Sequence, residues 1–312
     1  MSEILEKIDK AGHIVVISHL NPDADSIGSA SAMYSFLLQK HKKVSWFCKT
    51  QKIDQKLSFM PWFEKIRNSF PNSADLAIAL DCANEKRLGT DVECELINID
   101  HHITNSYYGD INLVKTDFIS TTEILYDFFK TNDVKVNRKM ATALYAGLLD
   151  DSDGFLSQKV NSKLFVTVKE LLDQDADFKL CNKNIMKSIS LGALRLKAVM
   201  FKNMSLKYNA KVAVFCVSDE DMRSTGAAAE DCEAPLEESL NLPYVKVALL
   251  LRQKSDFTIK GSLRSKAGVD VCKIAVKFDG GGHKERAGFD LKSVVSLEEA
   301  ETKILNLIQK EL

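Results

Sequence analysis

Three short apolar segments in the first half of the chain are each followed directly by histidine or aspartate. These residues are His19, Asp23 and Asp25 after the first segment, Asp81 after the second, and Asp100, His101 and His102 after the third. Capping of a helix explains one such residue, not a repeated set. Carboxylates and imidazoles without cysteine are a ligand set for Mn²⁺ or Mg²⁺, and imidazole favours manganese. The pattern predicts a metal centre.

A fourth group of carboxylates strengthens this interpretation. Asp150, Asp151 and Asp153 follow a predicted helix that ends near residue 149. Four or more carboxylates in one pocket repel one another unless cations neutralise them. The ligands suffice for two ions, about 3.5 to 4 Å apart, that share one carboxylate, which is an arrangement that hydrolyses phosphoesters. The residues therefore predict a two-metal phosphoesterase.

The surrounding sequence predicts the elements that would hold these residues. Strands are expected over 13–18, 44–48, 75–80, 95–99 and 112–114, with a helix over 27–39 between the first two. This alternation is typical of an α/β fold with a mostly parallel, doubly wound sheet. Because the carboxyl ends of parallel strands share one edge of the sheet, we expect the histidines and aspartates to converge there.

The rest of the chain predicts helices and then a second domain. Helical spacing continues over 121–130, 138–149 and 162–172, and a helical connector is expected over 181–204. The later segments predict a smaller, mixed α+β domain. Its expected strands are 212–217, 245–251 and 257–262, and its expected helices are 220–229, 235–240, 269–278 and 297–312. The predicted domains are 1–190 and 191–312, with the boundary within 185–200.

A glycine-rich segment is the candidate anion site of the second domain. The segment 280–284 reads Gly-Gly-Gly-His-Lys, and Ser262, Arg264 and Ser265 lie on or just after a nearby predicted strand. Free backbone amides of glycine cradle anions, and an arginine binds phosphate bidentately. A tight loop with Lys284 and Arg286 in solvent is the alternative interpretation.

Composition limits the partners. The 312 residues carry a formal net charge of −1, which argues against broad neutralisation of long nucleic acid. No apolar segment has the length of a membrane span, and the seven cysteines include no Cys-x-x-Cys pair. We therefore expect a soluble cytoplasmic protein with reduced thiols. Its expected partners are small nucleotides and short RNA or DNA oligonucleotides, with no long duplex and no membrane.

Taken in order, the motifs resemble those of the DHH phosphoesterase superfamily. They are His-Leu-Asn-Pro-Asp-Ala-Asp-Ser-Ile-Gly at 19–28, Leu-Asp-Cys-Ala-Asn at 80–84, Asp-His-His at 100–102 and Leu-Asp-Asp-Ser-Asp-Gly-Phe at 149–155. Gly-Ser-Leu-Arg-Ser at 261–265 and the segment 280–284 resemble the DHH-associated domain. The resemblance is to the two-domain branch that hydrolyses short RNA oligonucleotides to mononucleotides and 3′-phosphoadenosine 5′-phosphate to AMP.

The resemblance implies a role for each motif residue. It implies one Mn²⁺ held by His19, Asp23 and Asp81, and a second held by Asp25, Asp81, His101 and Asp151, with Mg²⁺ as the other option. It implies that Asp100 orients a ligand imidazole and that His102 contacts the scissile phosphate or donates a proton. The implied substrate residues are Ser262, Arg264, Gly281, Gly282 and His283, across a cleft between the domains.

The fourth motif departs from the family pattern. Relatives carry Asp-Thr-Gly-x-Phe followed by arginine, whereas this chain has Leu156 after Phe155. Asp150 and Asp153 therefore compete with Asp151 for the ligand role. The open alternatives for activity are a linear or cyclic dinucleotide phosphodiesterase, a pyrophosphate or polyphosphate hydrolase, and a nucleotide-binding regulator with weak turnover. The oligomeric state is also open, with a homodimer among the options.

Overall fold

The computed structural model describes residues 3–256, 258–266, 268–291 and 296–312. The chain forms two compact units, one ending at Ser188 and the other beginning at Ile189. In the described part of the chain, no helix is both long and apolar enough to cross a membrane.

The first unit is built on a six-stranded sheet whose neighbouring strands are all parallel. Its strands are β1 (His13–Ser18), β2 (Lys43–Phe47), β3 (Ile66–Arg67), β4 (Leu76–Leu80), β5 (Glu95–Asp100) and β6 (Ile111–Val114). Their order is β3-β2-β1-β4-β5-β6, so the direction of winding reverses between β1 and β4. The predicted α/β class is confirmed. The two-residue β3 was not predicted, because it is too short to show an alternating pattern.

Helices cover one face of this sheet. They are α1 (Glu3–Lys10), α2 (Ala24–Gln39), α3 (Thr121–Thr131), α4 (Arg138–Asp151), α5 (Ser162–Asp173) and α6 (Phe178–Cys181), and a π-helical turn, Asn182–Met186, follows α6. Helix α2 begins three residues earlier than predicted, because Asp23 caps it by accepting a hydrogen bond from the Ser26 amide.

Alternate residues of the strands form separate cores on the two faces. Ile14 and Val16 of β1 point toward helices α2 to α4 and join a large apolar cluster. Val15 and Ile17 point to the opposite face, where residues of loops and of the short 3₁₀ helix Glu85–Leu88 cover them. Helix α2 lies in the middle of the first core and is buried continuously over residues 24–37.

The second unit contains a mixed six-stranded sheet. Its strands are β7 (Ser205–Lys207), β8 (Val212–Val217), β9 (Val247–Gln253), β10 (Ile259–Ser265), β11 (Gly281–His283) and β12 (Arg286–Leu291), in the order β11-β12-β10-β9-β8-β7. The pair β8–β9 is parallel and the others are antiparallel. Its helices are α7 (Leu191–Asn203), α8 (Asp219–Thr225), α9 (Glu233–Ser239), α10 (Cys272–Val276) and α11 (Leu297–Ile308).

The differences from prediction in this unit have local causes. The helix predicted over 220–229 ends at Thr225, because Gly226 adopts the left-handed conformation that terminates helices. The strand predicted over 257–262 is displaced to Ile259–Ser265, and Phe257 lies outside the described residues. Strand β11 was missed because glycine is rare in strands.

Candidate active site

The candidate residues of the first unit gather where the sheet reverses its winding. Strand β1 leads to His19, the adjacent β4 leads to Asp81, and β5 ends at Asp100. The register places Ser18 opposite Leu80, and Leu80 opposite Ile99, so the three strands end at one level. Ligands of open α/β sheets bind at such a point, outside the carboxyl ends of the strands.

Three sets of side chains at this edge each place their ligand atoms within 4.8 Å of one another. They are His19, Asp23 and Asp81; Asp25, His101 and Asp151; and Asp81, His101 and His102. Because Asp81 and His101 each belong to two sets, the sets form one continuous cluster. The cluster brings together all six residues predicted as metal ligands.

The first set is organised around the buried ring of His19. Its Nε2 lies 3.3 Å from Oδ2 of Asp81 and 3.7 Å from Oδ2 of Asp23. The Nδ1 atom lies 2.8 Å from the Leu20 carbonyl. Nε2 is therefore the ring nitrogen that faces the two carboxylates, and it is the atom of His19 that could bind a shared cation.

The second set selects among the three aspartates of the fourth motif. Nε2 of His101 lies 3.2 Å from Oδ2 of Asp151 and 3.5 Å from Oδ1 of Asp81. Asp150 instead accepts a hydrogen bond from the Ala24 amide, and Asp153 is exposed. Of the three aspartates, Asp151 is the one placed with His101.

The first turn of helix α3 positions two carboxylates, which the sequence did not reveal. Asp25 accepts hydrogen bonds from the amides of Thr121 and Thr122, at 2.7 and 2.9 Å, and from the Thr122 hydroxyl at 2.7 Å. The Thr121 hydroxyl donates to Oδ1 of Asp81 at 3.1 Å. The Ser-Thr-Thr-Glu sequence at 120–123 is a capping-box pattern, and it signals a helix start whose free amides attract a carboxylate.

Two glycines allow the helices to approach closely enough for these contacts. A Cβ atom on Gly28 of α2 would lie 2.5 Å from the Ala143 carbonyl oxygen of α4. One on Gly147 of α4 would lie 2.6 Å from Oδ1 of Asp25 and 2.5 Å from Cγ2 of Thr122. Asp25 and Thr122 therefore have room for their contact because residue 147 is glycine, which has no side chain.

Asp81 also has an unusual backbone. Its φ is 61°, in the left-handed region that residues with a side chain rarely adopt, and its amide donates to the Ile99 carbonyl at 3.0 Å. Aspartate adopts this conformation more readily than most residues with a side chain. The conformation turns the chain directly after β4, at the position where the carboxylate joins two of the three sets.

A chain of buried amides orients His102. Oδ1 of Asp100 lies 2.8 Å from Nδ1 of His102, whereas Oδ2 accepts from the Asn105 amide group at 2.6 Å. Asn105 in turn accepts from Asn98 at 3.0 Å. The structure thus pairs Asp100 with His102, whereas the resemblance implied that Asp100 orients an imidazole that binds metal. Sequence reasoning missed Asn98 and Asn105.

The closely spaced carboxylates of the cluster favour a bound cation. Burial and the neighbouring carboxylates raise the pKa of Asp81 well above its ordinary value and that of Asp151 to about 11. Burial also raises the pKa of Asp25 and lowers that of His101, which favours the neutral ring. Nδ1 of His101 is buried and has no hydrogen-bond partner among the described residues. A divalent cation would keep the carboxylates ionised, and the donor set of oxygen and imidazole nitrogen fits Mn²⁺ or Mg²⁺.

Arg87 is another residue that the sequence did not single out. It belongs to the 3₁₀ helix Glu85–Leu88, and its Nη2 lies 2.8 Å from Nδ1 and 3.2 Å from Nε2 of His19. Burial raises the pKa of Asp23, but the hydrogen bond and charge of His19, with a smaller contribution from the positive charge of Arg87, lower it to about 2.

The predicted substrate residues of the second unit are largely engaged within that unit. Arg264 is only 7% exposed, pairs with Glu233, and directs its Nε to Glu237 at 3.5 Å. Ser262 is buried beside it on β10. The glycine segment is not a free loop, because Gly281–His283 pairs with β12 as the edge strand of the sheet.

The glycines of this edge strand are not equivalent. Gly282 has φ 144°, and a Cβ atom there would lie 2.3 Å from the Arg286 carbonyl oxygen. A Cβ atom on Gly281 would have no neighbour within 4 Å among the described residues. The fold therefore requires glycine at 282, whereas the space at 281 is open to an approaching molecule.

Comparison with known proteins separates the same two regions. Residues 13–148 match the N-terminal domain of the DHH family, and residues 209–312 match the DHHA1 domain. A Streptococcus mutans protein named "Probable bifunctional oligoribonuclease and PAP phosphatase NrnA" is 28% identical, over 98% of both chains. A Bacillus subtilis protein named "Bifunctional oligoribonuclease and PAP phosphatase NrnA" is 26% identical, over 98% of this chain and 97% of its own.

A solved structure shares the fold along the whole chain. It is an exopolyphosphatase-related protein from Bacteroides fragilis, with a TM-score of 0.84 and 23% identity, over 98% of this chain and 94% of that one. At this identity the likeness concerns the fold.

Proposed function

The chain carries a DHH-family N-terminal domain followed by a DHHA1 domain, and from this premise we propose that it is a metal-dependent phosphoesterase. Its substrates are short RNA oligonucleotides, cleaved to mononucleotides, and 3′-phosphoadenosine 5′-phosphate, cleaved to AMP. The observation that carries the proposal is the single cluster in which Asp81 and His101 link three sets of ligand atoms. The names of the two full-length relatives support the choice of substrate.

The proposed ligands divide into two sets that share one carboxylate. His19, Asp23 and Asp81 would hold one Mn²⁺, and Asp25, Asp81, His101 and Asp151 the other. When bound, two such ions activate a water molecule and stabilise charge on the phosphoryl oxygens. Within the chain, the amides and hydroxyls of Thr121 and Thr122 keep the carboxylates oriented toward the cluster.

His102 is the proposed catalytic residue that does not bind metal. Its Nδ1 is held by Asp100, so Nε2 is the ring nitrogen available to a substrate. The ring is partly exposed, which allows Nε2 to reach the scissile phosphate and donate a proton to the leaving oxygen. In this assignment Asp100 and Asn105 are positioning residues, because they act on the reaction through His102.

The second domain is proposed to hold another part of the substrate. Arg264 lies on β10 with Ser262, and Gly281, Gly282 and His283 form the edge strand. The open space at Gly281 and the exposed face of this strand support a contact with a phosphate or a nucleoside. The ion pair with Glu233 fixes the guanidinium of Arg264. We therefore expect Arg264 to orient the bound phosphate or nucleoside.

The test is hydrolysis of defined substrates by the full-length protein in Mn²⁺. An RNA dinucleotide, a longer RNA, 3′-phosphoadenosine 5′-phosphate and pyrophosphate are incubated separately, and the products are resolved by chromatography. We expect mononucleotides from the dinucleotide and AMP from 3′-phosphoadenosine 5′-phosphate. Release of orthophosphate from pyrophosphate alone, or nucleotide binding without any product, would contradict the proposal.

Two matched variants distinguish loss of the metal centre from a general effect of replacing aspartate by asparagine. Asp81→Asn removes the proposed bridging charge, and asparagine tolerates the left-handed backbone. Asp175→Asn makes the same change at another residue with φ 61°, outside the cluster. We expect Asp81→Asn to lose both Mn²⁺ binding and hydrolysis, whereas Asp175→Asn retains both.

A further inference from the structure

A cavity of about 600 Å³ lies next to the candidate centre, in the first unit alone. It is located at the carboxyl ends of β2 and β3, on the same edge of the sheet as the metal-ligand cluster. Its lining includes Thr50, Ile53, Gln55, Phe63, Arg67 and Asn68. None of these residues belongs to the motifs from which the function was inferred, and the volume lies in the range of small-molecule sites.

Direct contacts connect this cavity to the first motif. The hydroxyl of Thr50, in the cavity wall, accepts a hydrogen bond from the Asn21 amide at 2.8 Å. Sγ of Cys48, also in the wall, lies 3.5 Å from the His19 carbonyl oxygen. The loop that carries His19 and Asp23 therefore forms the boundary between the metal-ligand cluster and the cavity.

The lining combines the features that bind a nucleobase. Phe63 and Ile53 supply apolar surface, and an aromatic ring is a platform on which a base stacks. Gln55 and Asn68 carry amide groups that can both donate and accept hydrogen bonds along a base edge. Arg67 adds a positive charge, and two hydrogen bonds of 2.8 Å, from its Nη1 to the carbonyls of Glu64 and Ile66, fix its guanidinium.

The proposed reaction leaves one half of its substrate without a binding site. A phosphodiester joins two nucleosides, and the second-domain residues proposed above contact only one of them. We propose that the cavity at β2 and β3 binds the other nucleoside of a short oligonucleotide while the scissile phosphate lies at the metal-ligand cluster. This inference rests on the proposed function and assigns it a second specificity site.

Damage to the cavity should change the selectivity of the protein between two substrates. A dinucleotide such as pApA has two nucleosides, whereas 3′-phosphoadenosine 5′-phosphate has one. Phe63→Ala removes the stacking surface, and Gln55→Trp fills the cavity from an exposed position. We expect either variant to lower the ratio of kcat/KM for pApA to kcat/KM for 3′-phosphoadenosine 5′-phosphate about tenfold, the size of one lost base–aromatic stack.

Controls keep this test separate from folding and from the proposed activity. Phe63 packs partly against the core, so thermal unfolding of each variant is measured, and Gln55→Trp provides the change without loss of core packing. Phe165→Ala, which removes an exposed ring on α5, is expected to leave the ratio at the wild-type value.

Calorimetric titration in EDTA, with pApA and with 3′-phosphoadenosine 5′-phosphate, measures binding to the cavity without turnover. Equal losses for both substrates, or unchanged ratios in both variants, would overturn the proposed cavity. Failure of the wild-type protein to hydrolyse either substrate would instead reject the proposed function, and the binding ratio would still decide whether the cavity recognises a second nucleoside.

Discussion

Thr122→Val tests whether Asp25 belongs to a metal centre. Valine keeps the shape of the buried threonine but removes the hydroxyl that donates to Oδ1 of Asp25 at 2.7 Å. The two backbone amides that bind Asp25 remain, so the variant removes one of three hydrogen bonds. The perturbation therefore weakens the support of one proposed ligand without changing any ligand.

The expected magnitude follows from the charge on Asp25. A hydrogen bond to a charged group contributes about 1.5 to 3 kcal/mol. At about 1.4 kcal/mol for each factor of ten, its loss lowers the affinity for Mn²⁺ by about tenfold to a hundredfold. Effects of this size are typical of residues that orient metal ligands.

Calorimetric titration of the metal-free protein with Mn²⁺ measures this effect directly. Thr122→Ser, which keeps the hydroxyl, is expected to stay within a few-fold of the wild type. Thr142→Val removes a buried hydroxyl that accepts from the Asp177 amide, away from the cluster, and controls for the substitution itself. Wild-type Mn²⁺ affinity in Thr122→Val would refute the assignment of Asp25 as a ligand.

Three further predictions concern other parts of the structure. Asn105→Ala frees Asp100, and we expect kcat for the dinucleotide to fall about tenfold while calorimetry shows unchanged Mn²⁺ affinity. Gly282→Ala forces a Cβ to within 2.3 Å of backbone, so thermal unfolding is expected at a clearly lower temperature, whereas Gly281→Ala unfolds like the wild type. Burial raises the pKa of Asp75, but hydrogen bonds from the amides of residues 12 and 13 outweigh it and hold the pKa below its ordinary value. The resulting stability is present above the ordinary pKa and is lost as the pH falls through the lowered one. In urea unfolding, Asp75→Asn should therefore lower the free energy of unfolding at pH 7, and the difference from the wild type should shrink toward pH 3.

The parts of the site that lie next to a strand in the sequence could be predicted. His19, Asp81 and Asp100 each follow or end a buried strand, and parallel pairing alone places strand ends at one edge. The local sequence pattern therefore indicated both the candidate ligand residues and the edge of the sheet at which they lie.

The supporting contacts could not be predicted in the same way, because they join distant positions. Asp25 and Thr122 are 97 residues apart, and their contact depends on how α2, α3 and α4 pack. The edge strand Gly281–His283 was missed for another reason: its glycines have no strand propensity, and pairing with β12 overrides that preference. The cavity at β2 and β3 is likewise formed by residues with no shared motif.

The continuous burial of α2 has a consequence for hydrogen exchange. A helix with no solvent-facing side over residues 24–37 cannot open locally, so its amides exchange with solvent only when the first unit unfolds as a whole. Helix α5, which exposes Phe165 and Val166, can open in part and should exchange faster. A cation that binds only the folded state raises the free energy of global unfolding, and it should slow exchange in α2 by the corresponding factor. The exchange rate of α2 therefore reports cation binding at the neighbouring cluster without any substrate.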